Sequence, residues 1–538
     1  MLDPILKTLE DLIMYVRILN HAARRSTSVS LLALGVFATS MGMAAPVPHT
    51  APCESLLQLK LPDTTVTIAK LETSETYHPP AWDEPGPPAP SIRDLPSFCR
   101  VAADIRPTAD SEIKIEVWLP ASGWNGKFMG IGNGGWSGRV WFPYMAAALR
   151  EGYATSSTDT GHQGTAGDAK FAMGHPEKVV DFGYRAVHEM TVKAKAIIAA
   201  YYEGEPKFSY WNGCSSGGRQ GLKEAQRFPK DYNGIIAGAP ANNWTPLMAS
   251  GVWIAQANHN GEAIVLSTDN LALLHKAVLD SCDVLDGIKD GVIDTPAACH
   301  FDPGKLLCKG TDRSACLTRP QVEAAEKIYS GPTNPQTGEQ VFPGLEPGSE
   351  PGWFIFGSFP EPPIVASYFK YLVFKDAAWD FRRLNFDSDI ALSDKLDRGI
   401  NTATDPNLKE FFAGGGKLIL YHGWSDPMIA PQNTINYYNN VLRASGSQAE
   451  SSVRLFMAPG MGHCGGGEGP FAFDMDSALS EWVEQSKAPE VIVAAHLPSD
   501  PAAHGPDRTR PLCAYPKIAK YKGTGSTDDA SSFVCTRR

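Results

Sequence analysis

The stretch Trp211-Asn212-Gly213-Cys214-Ser215-Ser216-Gly217-Gly218-Arg219 decides the fold. It contains Gly-x-Ser-x-Gly at Gly213 to Gly217, the pattern of a strained strand-to-helix turn that lifts a serine hydroxyl above a sheet. Glycines flank Ser215 where a Cβ would collide with the turn. Such a pattern also occurs by chance, and its neighbour is what makes it specific here. Cys214 precedes Ser215, and about 250 residues later His463 is followed by Cys464 in Met461-Gly462-His463-Cys464-Gly465-Gly466. If the two cysteines are joined, the crosslink holds a candidate nucleophile and a candidate base side by side.

In α/β-hydrolases the serine is followed along the chain by the acid and then by the histidine. Between Ser215 and His463 lies Lys417-Leu418-Ile419-Leu420-Tyr421-His422-Gly423-Trp424-Ser425-Asp426-Pro427, an apolar strand running into a turn, where a sheet delivers a carboxylate. Asp426 would fix the tautomer of His463 and stabilise its imidazolium as Ser215 loses a proton. His422 precedes this acid and has no neighbouring cysteine, so it is read as structural. Acyl transfer also needs donors aimed at the oxyanion. One is the backbone N–H of Ser216. The other is Gly134 or Gly135 in Gly132-Asn133-Gly134-Gly135-Trp136, which follows the strand-like run Glu112 to Pro120.

Strand and helix patterns alternate through much of the chain, with strands at Phe208 to Trp211, Tyr232 to Gly238, Val453 to Met457 and Val491 to Ala495. Helical stretches cover Leu222 to Phe228 and Met475 to Gln485. The expected class is therefore α/β: an α/β-hydrolase core on a doubly wound, mostly parallel sheet. The alternation breaks between about Ala241 and Pro406, where Gly, Pro, aromatics and four cysteines dominate. We expect residues 45–240 and 407–538 to form the catalytic domain and 241–406 to form a large inserted lid.

The lid carries Asp283, Asp286 and Asp290 on a loop turned by Gly287 and Gly291. Three carboxylates plus the carbonyls of Ile288 and Val292 suit a hard cation such as Ca²⁺, which takes six to eight oxygens. The spacing is not that of an EF-hand.

The 538 residues carry a formal charge of −11, which argues against nucleic acid or an anionic membrane as a partner. Ten cysteines, none before Cys53, fit an oxidising compartment. Residues 1–44 read as an export signal. Arg24-Arg25 precede the apolar run Val29 to Ala38, and Gly42-Met43-Ala44 suits cleavage. That run is too short to span a bilayer, no cysteine offers a lipid anchor at the cleavage point, and a secreted or periplasmic mature chain is expected.

Together these motifs resemble the tannase and feruloyl esterase family of serine esterases. The resemblance rests on Gly213 to Arg219, Gly132 to Trp136, Tyr421 to Pro427 and Gly462 to Cys464, and spans nearly the whole mature chain. It implies an acyl-enzyme mechanism on a small aromatic ester, of a hydroxycinnamic acid or alternatively of gallic or terephthalic acid. It also implies a structural Ca²⁺ far from the serine, and the pairs Cys53–Cys99, Cys214–Cys464, Cys282–Cys299, Cys308–Cys316 and Cys513–Cys535. Position 216, often Thr or Glu in relatives, is Ser here, which keeps the backbone donor but alters contacts to the leaving group. For the acyl group the lid offers Trp353, Phe354, Phe356, Phe359, Tyr368, Phe369, Phe374 and Trp379. Lys370, Lys375, Arg382 and Arg383 are candidate partners for a free carboxylate. A calcium-stabilised binding protein without catalysis is the alternative of another class, and the retained Ser, Asp and His argue against it.

Overall fold

The computed structural model describes residues 50–80, 90–310, 315–499 and 505–537. The expected export signal and its cleavage point at Ala44 lie outside these residues. The central sheet has nine strands: β1 (Thr64–Glu72), β2 (Phe98–Ile105), β3 (Ile113–Pro120), β4 (Lys127–Ile131), β5 (Ala154–Thr158), β6 (Phe208–Cys214), β7 (Gly234–Gly238), β8 (Lys417–Gly423) and β9 (Val453–Ala458). Their spatial order is β1-β2-β3-β5-β4-β6-β7-β8-β9. The first three pairings are antiparallel, and the five from β5 through β9 are parallel. Strand composition follows from position. β7, Gly-Ile-Ile-Ala-Gly, is buried throughout, as a parallel strand covered on both faces must be. The edge strand β1 buries only Val66 and Ala69.

The helices that matter below are α1 (Phe142–Arg150), α2 (Ala186–Tyr202), α3 (Ser216–Arg227), α4 (Trp244–Ala257), α5 (Thr268–Cys282), α6 (Arg319–Ser330), α7 (Pro431–Glu450) and α8 (Met475–Gln485). α3 begins six residues before the expected Leu222. Its first turn is glycine-rich, a composition that disfavours helix in isolation. Close packing reverses that preference, since a Cβ at Gly218 would lie 2.5 Å from the Gly238 carbonyl oxygen. None of the described helices is long and apolar enough to cross a membrane.

One expected strand leaves the series. Val491–His496 (β10) pairs antiparallel with Arg508–Cys513 (β11) in a separate two-stranded sheet. Val491 and Val493 face solvent, so this strand has one buried face, unlike β7 or β8.

Among the described residues three large hydrophobic cores form, two of which bear on the site. One packs α2 and α7 against the sheet, with Trp211, Ile235, Leu418 and Leu455 inside it. The other lies mainly in the segment between β7 and β8 and gathers Trp244, Leu271, Trp353, Phe356, Tyr368, Phe369 and Trp379. Those last five aromatics, expected as stacking surfaces, are thus filling the segment's own interior, whereas Phe354 is 39% exposed. Lys370 pairs with Glu361 at 2.7 Å and Arg382 with Asp380 at 3.0 Å, so neither is an uncommitted cation.

All ten cysteines are paired, as Cys53–Cys99, Cys214–Cys464, Cys282–Cys299, Cys308–Cys316 and Cys513–Cys535.

Candidate active site

Ser215, Asp426 and His463 all follow the carboxyl ends of parallel strands, β6, β8 and β9 respectively. That edge is where open α/β sheets place their ligands. Ser215 sits between β6 and α3 at φ 62° and ψ −121°, a strained conformation for a non-glycine residue. Its backbone is held by Ser215 N donating to the Gly238 carbonyl at 2.9 Å and by its own carbonyl accepting from Ala241 N at 3.1 Å. The turn closes only without side chains, since a Cβ on Gly213 would stand 2.5 Å from the Gly217 carbonyl oxygen.

The Cys214–Cys464 disulfide, with a Cα–Cα separation of 5.9 Å, joins the residue before Ser215 to the residue after His463. His463 Nδ1 lies 2.7 Å from Asp426 Oδ2. An ionised carboxylate only accepts, so Nδ1 carries the proton and Nε2 is left as an acceptor. Asp426 is fully buried and satisfied on both oxygens. Oδ1 accepts from Met428 N at 2.8 Å and from Ile429 N at 3.0 Å. Burial by itself would raise the Asp426 pKa. The His463 imidazole and hydrogen bonds from His422 and His463 outweigh it and hold the carboxyl well below the usual carboxylate range.

The sequence does not reveal that His422 touches the same oxygen. It is completely buried, with Nε2 at 3.0 Å from both Asp426 Oδ2 and the Ile429 carbonyl. Two acceptors fix the proton on Nε2, and Nδ1 then accepts from the Thr434 hydroxyl at 2.8 Å. Asp426 is thus clasped from two sides.

The glycine-rich loop after β4 approaches the elbow closely. A Cβ on Gly132 would stand 2.6 Å from Gly217 Cα. Asn133 N donates to Gln220 Oε1 of α3 at 3.0 Å, and the Ser216 hydroxyl donates to the Gly135 carbonyl at 2.9 Å. Gly134 and Ser216 are therefore parts of one braced unit. Gly135 has φ +54°, and a Cβ there would meet the Ala166 carbonyl oxygen at 2.5 Å. Trp136 reaches the other way: it is buried against Trp244, with ring centroids 4.9 Å apart, and its Nε1 donates to the Ile364 carbonyl at 2.9 Å.

Two further buried residues bind this edge to the segment above it. Arg219 of α3 donates to the carbonyls of Gly183, Asn401 and Phe182, and lies within 5 Å of the Phe182 and Trp244 ring centres. His275 of α5 bridges Glu350 at 2.7 Å and Glu468 at 3.0 Å. Burial opposes its charge, but these carboxylate hydrogen bonds raise its pKa to about 9. Glu468 belongs to the glycine-rich segment that carries His463.

The acidic loop follows α5 directly in the chain. Asp283 accepts from Asp290 N at 3.1 Å and from Gly291 N at 2.9 Å, and Asp286 accepts from Ile288 N at 2.8 Å. Asp294, a fourth acid absent from the sequence-based set, is buried there too. Burial, then repulsion among neighbouring acids, pushes Asp294 up to about 8; burial likewise raises Asp286 to about 6. Asp290 pairs with the buried Arg510.

The family model "Tannase and feruloyl esterase" matches residues 99–536. The chain belongs to that family. It is 38% identical to an uncharacterized esterase of Xanthomonas campestris pv. campestris, over 94% of each chain. It is 32% identical to feruloyl esterase C of Talaromyces stipitatus, over 95% of this chain and 99% of that one. The crystal structure of feruloyl esterase B from Aspergillus oryzae superposes with a TM-score of 0.82 at 30% identity, covering 90% of this chain and 99% of the other. Tannin acyl hydrolase from Aspergillus niger shares the fold, with a TM-score of 0.74 at 21% identity over 89% and 92% of the two chains. The protein is a carboxylic ester hydrolase.

Proposed function

We propose that the esterase hydrolyses esters of aromatic acids through a Ser215–His463–Asp426 triad and an acyl-enzyme. The observation that carries this reading is the 2.7 Å His463–Asp426 contact, delivered beside Ser215 by the Cys214–Cys464 crosslink. His463 Nε2 takes the Ser215 proton as Oγ attacks the ester carbonyl. The N–H groups of Ser216 and of the Gly134 turn receive the oxyanion. The alcohol leaves with the proton from His463, and water activated by the same imidazole releases the acid. Relatives named as feruloyl esterases support a hydroxycinnamoyl group as the acyl part. Five disulfides support a working place in the periplasm or outside the cell.

A substrate panel tests the acyl group: methyl ferulate, chlorogenate, methyl gallate, mono-hydroxyethyl terephthalate and p-nitrophenyl butyrate. The expected order of kcat/KM puts the hydroxycinnamates first. A preference for butyrate would overturn the aromatic reading, and a preference for gallate or terephthalate would reassign the acid. Replacing both Cys214 and Cys464 by alanine is expected to reduce turnover more than it reduces Tm. Unchanged turnover in that double variant would mean the crosslink has no part in aligning the residues.

A structural Ca²⁺ held by the acidic loop is the second part of the proposal. Asp283, Asp286 and Asp290 with the carbonyls of Ile288 and Val292 would hold it, since carboxylate and carbonyl oxygens on one loop are the donors a hard cation takes. Ions bound only to the native state stabilise it by about 2.7 kcal/mol at a hundredfold excess over Kd. Exhaustive chelation with EGTA is therefore expected to lower Tm by several degrees, with recovery on adding Ca²⁺ and no such shift in Asp286→Asn. Identical melting of stripped and Ca²⁺-loaded protein would refute this assignment.

A further inference from the structure

α2, α3 and the turn into β7 bring His188, Glu224 and Asp231 together. One ligand atom from each residue lies within 4.8 Å of the other two. His188 Nδ1 is 2.7 Å from Asp231 Oδ2, and its ring lies flat on Phe228, with centroids 3.7 Å apart. Glu224 is the unusual member. It is 1% exposed, and neither of its carboxylate oxygens meets a hydrogen-bond donor. Taking a carboxylate out of water without a partner is expensive, so chains avoid it or neutralise the charge. The Lys195 ammonium, which acts on Glu224, donates to the Asp231 carbonyl. Two carboxylates so placed can be reconciled by a shared proton or by a cation, and an imidazole completing the triangle favours the cation.

The geometry points to a second metal site, at His188, Glu224 and Asp231, for a divalent cation of the zinc type. One imidazole nitrogen and two carboxylate oxygens are the donors that Zn²⁺ accepts, at about 2.0–2.2 Å each, whereas Ca²⁺ and Mg²⁺ prefer oxygen alone. The side chains of His188 and Asp231 are 28% and 15% exposed, which leaves an entry path and room for water in a fourth position. The ligands sit on three different elements, so the ion would fasten α2 to the last turns of α3 and to the start of β7. Glu224 stands nine residues beyond Ser215, roughly 13 Å along a helix axis, so the role is structural rather than chemical.

The test uses the full-length protein, stripped of metal and then kept in saturating Ca²⁺ so that the acidic loop is occupied. Calorimetric titration with ZnCl₂ is expected to give one saturable equivalent, and CoCl₂ the visible d–d absorption of a four- or five-coordinate site. His188→Gln, a change at a partly exposed residue that leaves the fold intact, and Glu224→Gln should each lose that equivalent. Asp286→Asn should retain it. Absence of saturable Zn²⁺ binding, binding that survives in both His188→Gln and Glu224→Gln, or its loss in Asp286→Asn would each overturn the proposal. A Glu224→Gln protein that melts higher than the parent, in a parent blind to Zn²⁺, would show that the acids share a proton instead.

Discussion

Asp426→Asn is expected to lower kcat on the order of 10⁴-fold with little change in KM, by analogy with other serine–histidine–acid triads. The reason lies in the two imidazoles on Oδ2. With Asp426 ionised, both His463 Nδ1 and His422 Nε2 donate to that oxygen, while Oδ1 accepts two backbone N–H groups. An asparagine that keeps its oxygen towards Met428 N and Ile429 N turns its NH₂ towards both histidines. His463 then accepts at Nδ1, carries its proton on Nε2, and has no lone pair for the Ser215 hydroxyl. The loss should be measured with the ester of highest kcat/KM at a pH where the parent is fully active. His422→Ala removes one donor and leaves the Thr434 hydroxyl without its acceptor, a matter of stability more than of rate, and a mild effect on kcat is expected. If His422→Ala and His463→Ala proved equally damaging, the base would have been wrongly assigned.

Ser215→Ala should lower turnover by at least about 10³-fold and abolish any burst of released alcohol. The remaining activity over water would come from the oxyanion donors and from binding, which this change leaves in place. A fluorophosphonate probe should label the parent at Ser215 and leave the variant unlabelled. A variant that keeps both its turnover and its burst would remove Ser215 from the mechanism and return the binding-protein alternative to contention.

How much of this was legible in the sequence depends on the distance over which each feature is decided. The elbow and helix Met475–Gln485 are local patterns whose geometry follows from a few adjacent residues, and they appear where expected, whereas the pairing of Cys214 with Cys464 across 250 residues came from the family resemblance. The start of α3 was hidden because Ser216-Gly217-Gly218 reads as a turn until β6 and β7 are packed against it. Val491–His496 has the composition of a sheet strand, but which sheet it joins is set by Arg508–Cys513, and no local pattern names that partner. The aromatics between β7 and β8 carry hydrophobicity without direction, so their burial in a common core was beyond the sequence. His422 and Asp426 are four residues apart, but no local pattern shows that a histidine at the end of β8 turns back onto the acid after it. His188, Glu224 and Asp231 come from three elements and have no motif at all.

The order of the strands has a consequence for making the protein. β7 and β8 lie side by side, yet roughly 180 residues separate Gly238 from Lys417. At about 5–20 residues per second of synthesis, the first half of the sheet waits roughly 9–36 s for its neighbour. Throughout that interval the Gly-Ile-Ile-Ala-Gly strand presents an open, apolar edge, the kind of edge on which other chains assemble. Whatever shields β7 until β8 arrives is expected to raise the yield of folded esterase while leaving its specific activity unchanged.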